Sequence, residues 1–272
     1  MSLQETKSLL KEHQIVPNKL LGQNFMVDPS VFPILSKHAT LGVTDTVLDA
    51  GAGFGFLTSF LATKCKSVIA VEKDPRLAQV LRERVKDVPN VSVIEGDVLK
   101  VEVPFFNKAV SIPPYYLSSH LVTWLLERDL DCAVLIVQKE FADRLIAPVG
   151  SEEYGWLSVV TYQRAEAELL DEVPNWMFHP QPEVDSIIIK LTPWATPPFP
   201  VKNALFFRRL VKWLFTQRNK KLNNAVAPFI RSELKVDKAK AQEMALALPT
   251  WDKRVRELAP NDFGAITDAL SK

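Results

Sequence analysis

Residues 47–58 read V-L-D-A-G-A-G-F-G-F-L-T. The apolar run Thr46-Val47-Leu48 leads to glycines at alternate positions, Gly51, Gly53 and Gly55, and then to Phe56, Leu57, Phe60 and Leu61 at helical spacing. Glycine admits positive φ and lets another group approach the backbone closely. Strand, glycine turn and helix together form the crevice of a nucleotide-binding sheet, in which the ligand rests beyond the carboxyl end of the strand. A lone turn of this kind also closes ordinary tight loops, so the residues downstream have to decide the matter.

They do so in two steps. A second apolar run, Ser67–Val71, ends on Glu72, and an acidic residue roughly 20 positions past the turn is placed to bond ribose hydroxyls. A third run, Val91–Ile94, leads to Asp97, at the tip where an adenine amino group would lie. The spacing departs from the dinucleotide pattern G-x-G-x-x-G, and Asp49 stands at the strand end. A carboxylate there repels a pyrophosphate and suits a cationic ammonium, which favours S-adenosylmethionine over NAD as the ligand.

Outward from this stretch, strand-like runs at 46–49, 67–71, 91–94, 108–111 and 132–138 alternate with helix-like stretches at 56–64, 75–86 and 118–128. The alternation predicts a mostly parallel α/β sheet with helices on both faces. A helix is predicted over 3–14 and another over 140–147, and residues 18–28 read as a loop. Strands are predicted over 156–163, 165–173 and 186–191. Thr192–Pro200 carries four prolines in nine positions and reads as a stiff linker. The predicted division is therefore a sheet domain over 1–192, a linker over 193–200 and a small all-α domain over 201–272.

Net charge is only +1, but residues 201–272 hold 15 Lys/Arg against 7 Asp/Glu, while residues 1–200 hold 18 against 25. A basic tail on an acidic body points to an anionic partner. Two cysteines in apolar surroundings, Cys65 and Cys132, suggest a reducing compartment, so the expected location is the cytosol. No run approaches the ~20 apolar residues of a membrane span. His13, His38, His120 and His179 lack metal-ligand spacing, so no metal is expected. Nothing calls for an obligate partner subunit, and a monomer is expected.

The chain resembles the ribosomal RNA adenine dimethyltransferase family almost end to end, most of all its archaeal branch. The resemblance rests on L-G-Q-N-F at 21–25, D-A-G-A-G-F-G-F-L-T at 49–58, Glu72 and Asp97, F-H-P-Q-P-E-V-D-S at 178–186 and F-T-Q-R-N-K-K-L at 215–222. It implies a Rossmann-like class I methyltransferase sheet. It also implies transfer of methyl groups from S-adenosylmethionine to adjacent adenines near the end of small-subunit rRNA, as naked RNA or in a pre-30S particle. Gln23, Asn24, Met26, Gly51, Gly53, Glu72, Lys73, Asp97, Val98 and Ile112 then fall at cofactor positions. Ile112, Pro113, Pro114 and Tyr115, with Phe178 as a second aromatic face, fall at the catalytic ones. Arg208, Arg209, Lys212, Arg218, Lys220 and Lys221 form the implied RNA-binding cluster. One position departs: where the family reads N-[LI]-P-[YF], residues 112–115 read I-P-P-Y, so Ile112 replaces an asparagine. That keeps open a catalytically weak or inactive rRNA-binding assembly factor, and methylation of large-subunit rRNA is a further alternative.

Overall fold

The computed structural model describes residues 2–17 and 22–271. Asn18, Lys19, Leu20 and Leu21, which open the predicted loop and the L-G-Q-N-F string, lie outside the described residues. In chain order the elements are α1 (Leu3–Glu12), β1 (Phe25–Met26), α2 (Val31–His38), β2 (Thr46–Ala50), α3 (Phe56–Ala62), β3 (Ser67–Glu72), α4 (Pro75–Val85), β4 (Val91–Glu95), β5 (Lys108–Ser111) and α5 (Ser118–Leu125). They continue with β6 (Cys132–Gln138), α6 (Lys139–Ile146), α7 (Trp156–Arg164), β7 (Ala165–Val173), β8 (Phe178–His179), β9 (Ser186–Pro193), α8 (Ala204–Phe215), α9 (Leu222–Leu234), α10 (Lys238–Leu246) and α11 (Pro260–Leu270).

Seven strands form one sheet in the order β4-β3-β2-β5-β6-β9-β7. β2 pairs in parallel with β3 and β5, and so do β3 with β4 and β5 with β6, while β9 runs antiparallel to β6. This is the doubly wound class I methyltransferase arrangement, with the chain reversing direction across the sheet between β2 and β5. Such a reversal opens a crevice at the strands' carboxyl ends. The central strands β2, β3, β5 and β6 are largely apolar because helices cover both faces: Val47, Leu48, Val68, Val110, Val134 and Ile136 are all fully buried. The start of α4 follows from Asp74, whose side chain accepts from Arg76 N, with Pro75 in the first turn.

Residues 1–142 with 166–193 form one compact unit, and 143–165 with 194–272 form a second. This corrects the division read from the prolines. Residues 143–165 pack with the C-terminal helices: Tyr154, Val159 and Val160 share a core with Phe207, Leu214, Val226 and Phe263. The Tyr154 hydroxyl donates to the Leu258 carbonyl at 2.8 Å. The proline-rich stretch is no free spacer either. Thr192 and Pro193 finish β9, and Phe199 is buried in the helical core, where Gly264 leaves room for its ring. The strand predicted over 156–163 is a helix, α7. Leu157 through Thr161 are all buried, so this stretch lacks a polar face and its Val159-Val160-Thr161 run reads as β.

Candidate functional site

The tips of β2, β3 and β4 meet two contiguous parts of one cleft. The part over the glycine turn is lined by Gln23, Asn24, Met26, Asp49, Gly51, Gly53, Glu72, Ile112 and Pro114, among others. The adjoining part, of about 400 Å³, is lined by Gln23, Gly51, Glu72, Lys73, Asp97, Val98, Pro114 and Tyr116, among others. Every residue expected at the cofactor therefore lines one part or both.

The glycines are required by geometry. Gly51 has φ +78°, and a Cβ there would stand 2.8 Å from Pro114 Cδ. Gly53 has φ +57° and donates its N–H to Glu72 Oε2 at 2.8 Å. Glu72 Oε1 accepts from Asp74 N at 2.8 Å. Both oxygens thus accept backbone N–H bonds, with Lys73 N as a further donor, and the carboxylate's remaining lone-pair capacity suits a ribose hydroxyl. Burial raises the Glu72 pKa against these backbone bonds.

Asp49 is fully buried and is pushed up to about 7, chiefly by burial, with Glu72 adding to the rise and the Thr58 hydroxyl, 2.7 Å away, opposing it. Among the described residues the lining of the glycine-turn part includes two carboxylates and no Lys or Arg. That polarity fits an ammonium and a vicinal diol and opposes a diphosphate. Asp97 behaves otherwise. Burial raises its carboxyl, but the Leu99 N–H and the Lys73 ammonium, the latter 3.1 Å from Oδ2, outweigh this and hold it below the usual range. The residues present therefore fit S-adenosylmethionine.

Beside this cleft stands the turn that follows β5. Ser111, fully buried, accepts from Ala50 N at 2.8 Å and ties the end of β5 to the end of β2. Pro113 and Pro114 end the strand by removing its donors. The Tyr115 hydroxyl shares a 2.6 Å hydrogen bond with Ser186 Oγ, and its ring meets Phe178 edge-on with centroids 6.3 Å apart. Phe178 is 3% exposed, so it backs Tyr115 from within the core. From the other side Gly22 (φ +57°) closes on the same turn, its missing Cβ pointing 3.2 Å from Tyr115 N. A two-stranded ladder joins the two distant motifs, with Phe25 opposite His179 and Met26 opposite Phe178. Ile112 packs partly buried against the sheet core and lines the cleft.

Sequence reasoning missed Gly22, Thr58, Ser111 and Ser186, which position groups rather than touch a ligand. Gly22, Thr58 and Ser186 lie inside the strings at 21–25, 49–58 and 178–186, and Ser111 alone of the four lies outside them. Tyr116, next to the aromatic candidate Tyr115, lines the cofactor part with Lys73.

The six basic residues are not equivalent. Arg218 donates to the carbonyls of Glu152 (2.7 Å) and Ser151 (2.9 Å), holding the loop before α7. Arg209 is ion-paired with Glu233. Lys212 lies over the Trp156 ring, 4.2 Å from its centroid, and burial lowers its pKa, with Arg208 adding. Lys220 reaches Gln217 Oε1 at 2.7 Å, and Lys221 is exposed at the start of α9. The second unit as a whole holds 17 Lys/Arg against 10 Asp/Glu. Among the described residues no helix is long and apolar enough to cross a membrane, and no group of three or more His, Cys, Asp or Glu could hold a metal.

The family profile for ribosomal RNA adenine dimethylase matches residues 16–249. The chain is 39% identical over 264 residues to a probable ribosomal RNA small subunit methyltransferase A of Methanosarcina acetivorans, covering 97% of each chain. It is 38% identical over 268 residues to the protein of that name in Thermococcus kodakarensis, covering 97% of this chain and 94% of the relative. Among solved structures, a dimethyladenosine transferase from Plasmodium falciparum superposes with a TM-score of 0.73 at 28% identity, covering 88% of this chain and 94% of that one. The 23S rRNA methyltransferase ErmE gives 0.63 at 29%, covering 91% and 99%. With the profile spanning most of its length and such relatives matching nearly end to end, the chain belongs to the ribosomal RNA adenine dimethylase family.

Proposed function

We propose that this protein transfers methyl groups from S-adenosylmethionine to the exocyclic amines of adenines near the 3′ end of small-subunit rRNA, two adjacent adenines being dimethylated during ribosome assembly in the cytosol. The observation that carries this reading is the abutment of two features: the carboxylate-lined cleft of Asp49, Glu72 and Asp97, and the Pro113-Pro114-Tyr115 turn locked by Ser186 and Gly22. The names of the curated relatives favour the small subunit.

The cofactor supplies an electrophilic methyl on a sulfonium. The protein's part is positioning. Asp49 and Glu72 would hold the cofactor's ammonium and ribose ends, and Asp97 its adenine amine. An adenine buried in a duplex cannot reach the cleft, so the target base enters extruded or single-stranded. The Tyr115 ring offers it a flat face, held at a fixed angle by Ser186 and backed by Phe178. The adenine amine is a poor nucleophile because its lone pair is delocalised into the ring. The backbone carbonyls of Ile112 and Pro113 accept its N–H bonds and favour a pyramidal nitrogen. Orientation and preorganised acceptors supply the acceleration, without a base of tuned pKa.

Ile112 favours a second reading, an rRNA-binding assembly factor with weak catalysis, because its side chain cannot accept the hydrogen bond that an asparagine would. Reaction of the protein with labelled S-adenosylmethionine and both ribosomal subunits' RNA, followed by primer extension, tests both. Stops at adjacent adenines near the 3′ end of the small-subunit RNA support the first. Binding without label supports the second, and label in large-subunit RNA overturns the choice of substrate.

A further inference from the structure

Between α9 and α10, wholly within the second unit, lies a cleft of about 440 Å³, within the usual size for a small-molecule site. Its apolar lining is Ala227, Pro228 and Ala241, of which Ala241 is buried and Pro228 exposed. Arg231 and Lys238 stand on its walls, with the amides of Asn224 and Gln242. Among the described residues none of these four side chains bonds to another group of the chain. Carboxylates close in sequence are engaged elsewhere: Glu233 pairs with Arg209, and Asp237 caps α10 by accepting from Lys240 N. Pro228 sits inside α9 and lacks an N–H, which leaves the Asn224 carbonyl without its helical donor. The cleft therefore combines two uncommitted cations, an apolar face, two amides and a spare carbonyl acceptor.

We propose that this cleft holds one nucleotide of the RNA substrate, with its flanking phosphates on Arg231 and Lys238 and its base on the Ala227–Pro228–Ala241 face, read at its edge by Asn224 and Gln242. An acidic peptide would use the cations but not the apolar face and paired amides, and the excess positive charge of the unit suits a polyanion. The proposal rests on the reading of rRNA as substrate, but the cleft's lining shares no residue with the Arg208–Lys221 cluster or with the lining of the methyl-transfer cleft.

The test compares the full-length protein with R231Q/K238Q and N224A/Q242A, binding a protein-free fragment of the small-subunit rRNA 3′ region across a salt series. Loss of two single-strand phosphate contacts makes the slope of log K against log salt shallower by about 1.4 and weakens binding roughly tenfold at ~0.15 M salt. S-adenosylmethionine affinity and the single-turnover rate at saturating RNA stay at parent values. N224A/Q242A weakens binding with the slope unchanged. If R231Q/K238Q keeps the parent's affinity and slope while the parent still methylates this RNA, the cleft proposal falls and the functional reading stands. Loss of binding to the assembled particle alone would put a protein in the cleft and overturn it too. A parent that neither binds nor methylates the RNA would overturn both.

Discussion

Replacing Ile112 with asparagine would place a hydrogen-bond acceptor where the chain now carries a branched hydrocarbon. The position follows directly on β5, lines the cleft over the glycine turn and precedes the proline turn that presents Tyr115. One aimed polar group of this kind is worth about 100- to 1,000-fold in rate, or about 2.7–4 kcal/mol. The opposing effect is on folding. Ile112 packs partly buried on the sheet core, so its loss costs about 1 kcal/mol, half or less of full burial. In a chain of this size that is a fall of about 2–4 °C in Tm. The two effects separate in the assay. Single-turnover methyl transfer to small-subunit particles, saturating in both substrates, reports the chemical step, and a thermal melt reports the fold. The expected result is a rate at least about tenfold above the parent, allowing for imperfect aim, with a slightly lower Tm. A folded, cofactor-binding variant no faster than the parent would refute the account of this position.

Three further outcomes follow from the same geometry. Asp49, raised by burial to about 7, must ionise to meet a cationic ligand, so cofactor binding releases a proton below that pH. The Kd should fall by up to about tenfold per pH unit on rising toward pH 7 and then level off, and Asp49→Asn should flatten the profile. The same group has the opposite effect on stability. Between its ordinary value of 3.8 and about 7 the folded state holds a proton that the unfolded state has lost, so the ligand-free protein loses stability as pH rises through that window. Lys221→Glu should weaken RNA binding with Tm unchanged, whereas Arg218→Glu should lower Tm by freeing the Ser151 and Glu152 carbonyls; equal melting of the two would contradict the structural role of Arg218. Tyr115→Ala should lower kcat/KM by the stacking energy, about 1–3 kcal/mol or roughly 5- to 150-fold, while Tyr115→Phe, which loses only the bond to Ser186, should cost less than about tenfold. Equal losses would assign the effect to the hydroxyl.

The sheet was legible because β2, β3, β5 and β6 are buried on both faces and read as short apolar runs broken by caps and glycines. The cofactor residues were legible because their spacing follows strand tips, which sequence order preserves. What stayed hidden depends on packing at long range. α7 escaped because Leu157 through Thr161 are buried in an unbroken run, which hides the helical period until the exposed Tyr162 and Arg164 at its end. The β1–β8 ladder joins residues more than 150 positions apart through two-residue strands, too short for any pattern. The tie of Arg218 to Ser151 and Glu152 turns a residue read as RNA-binding into a loop anchor, which only the fold reveals.

The account rests on one S-adenosylmethionine site at the tips of β2, β3 and β4, and calorimetric titration of the purified protein tests it most directly. The parent should bind one equivalent and show no heat with NAD. Gly51→Ala, whose Cβ would strike Pro114 Cδ in a backbone at φ +78°, should abolish binding, and Asp97→Ala should weaken it. No binding by the parent, or undiminished binding by both variants, would contradict the site.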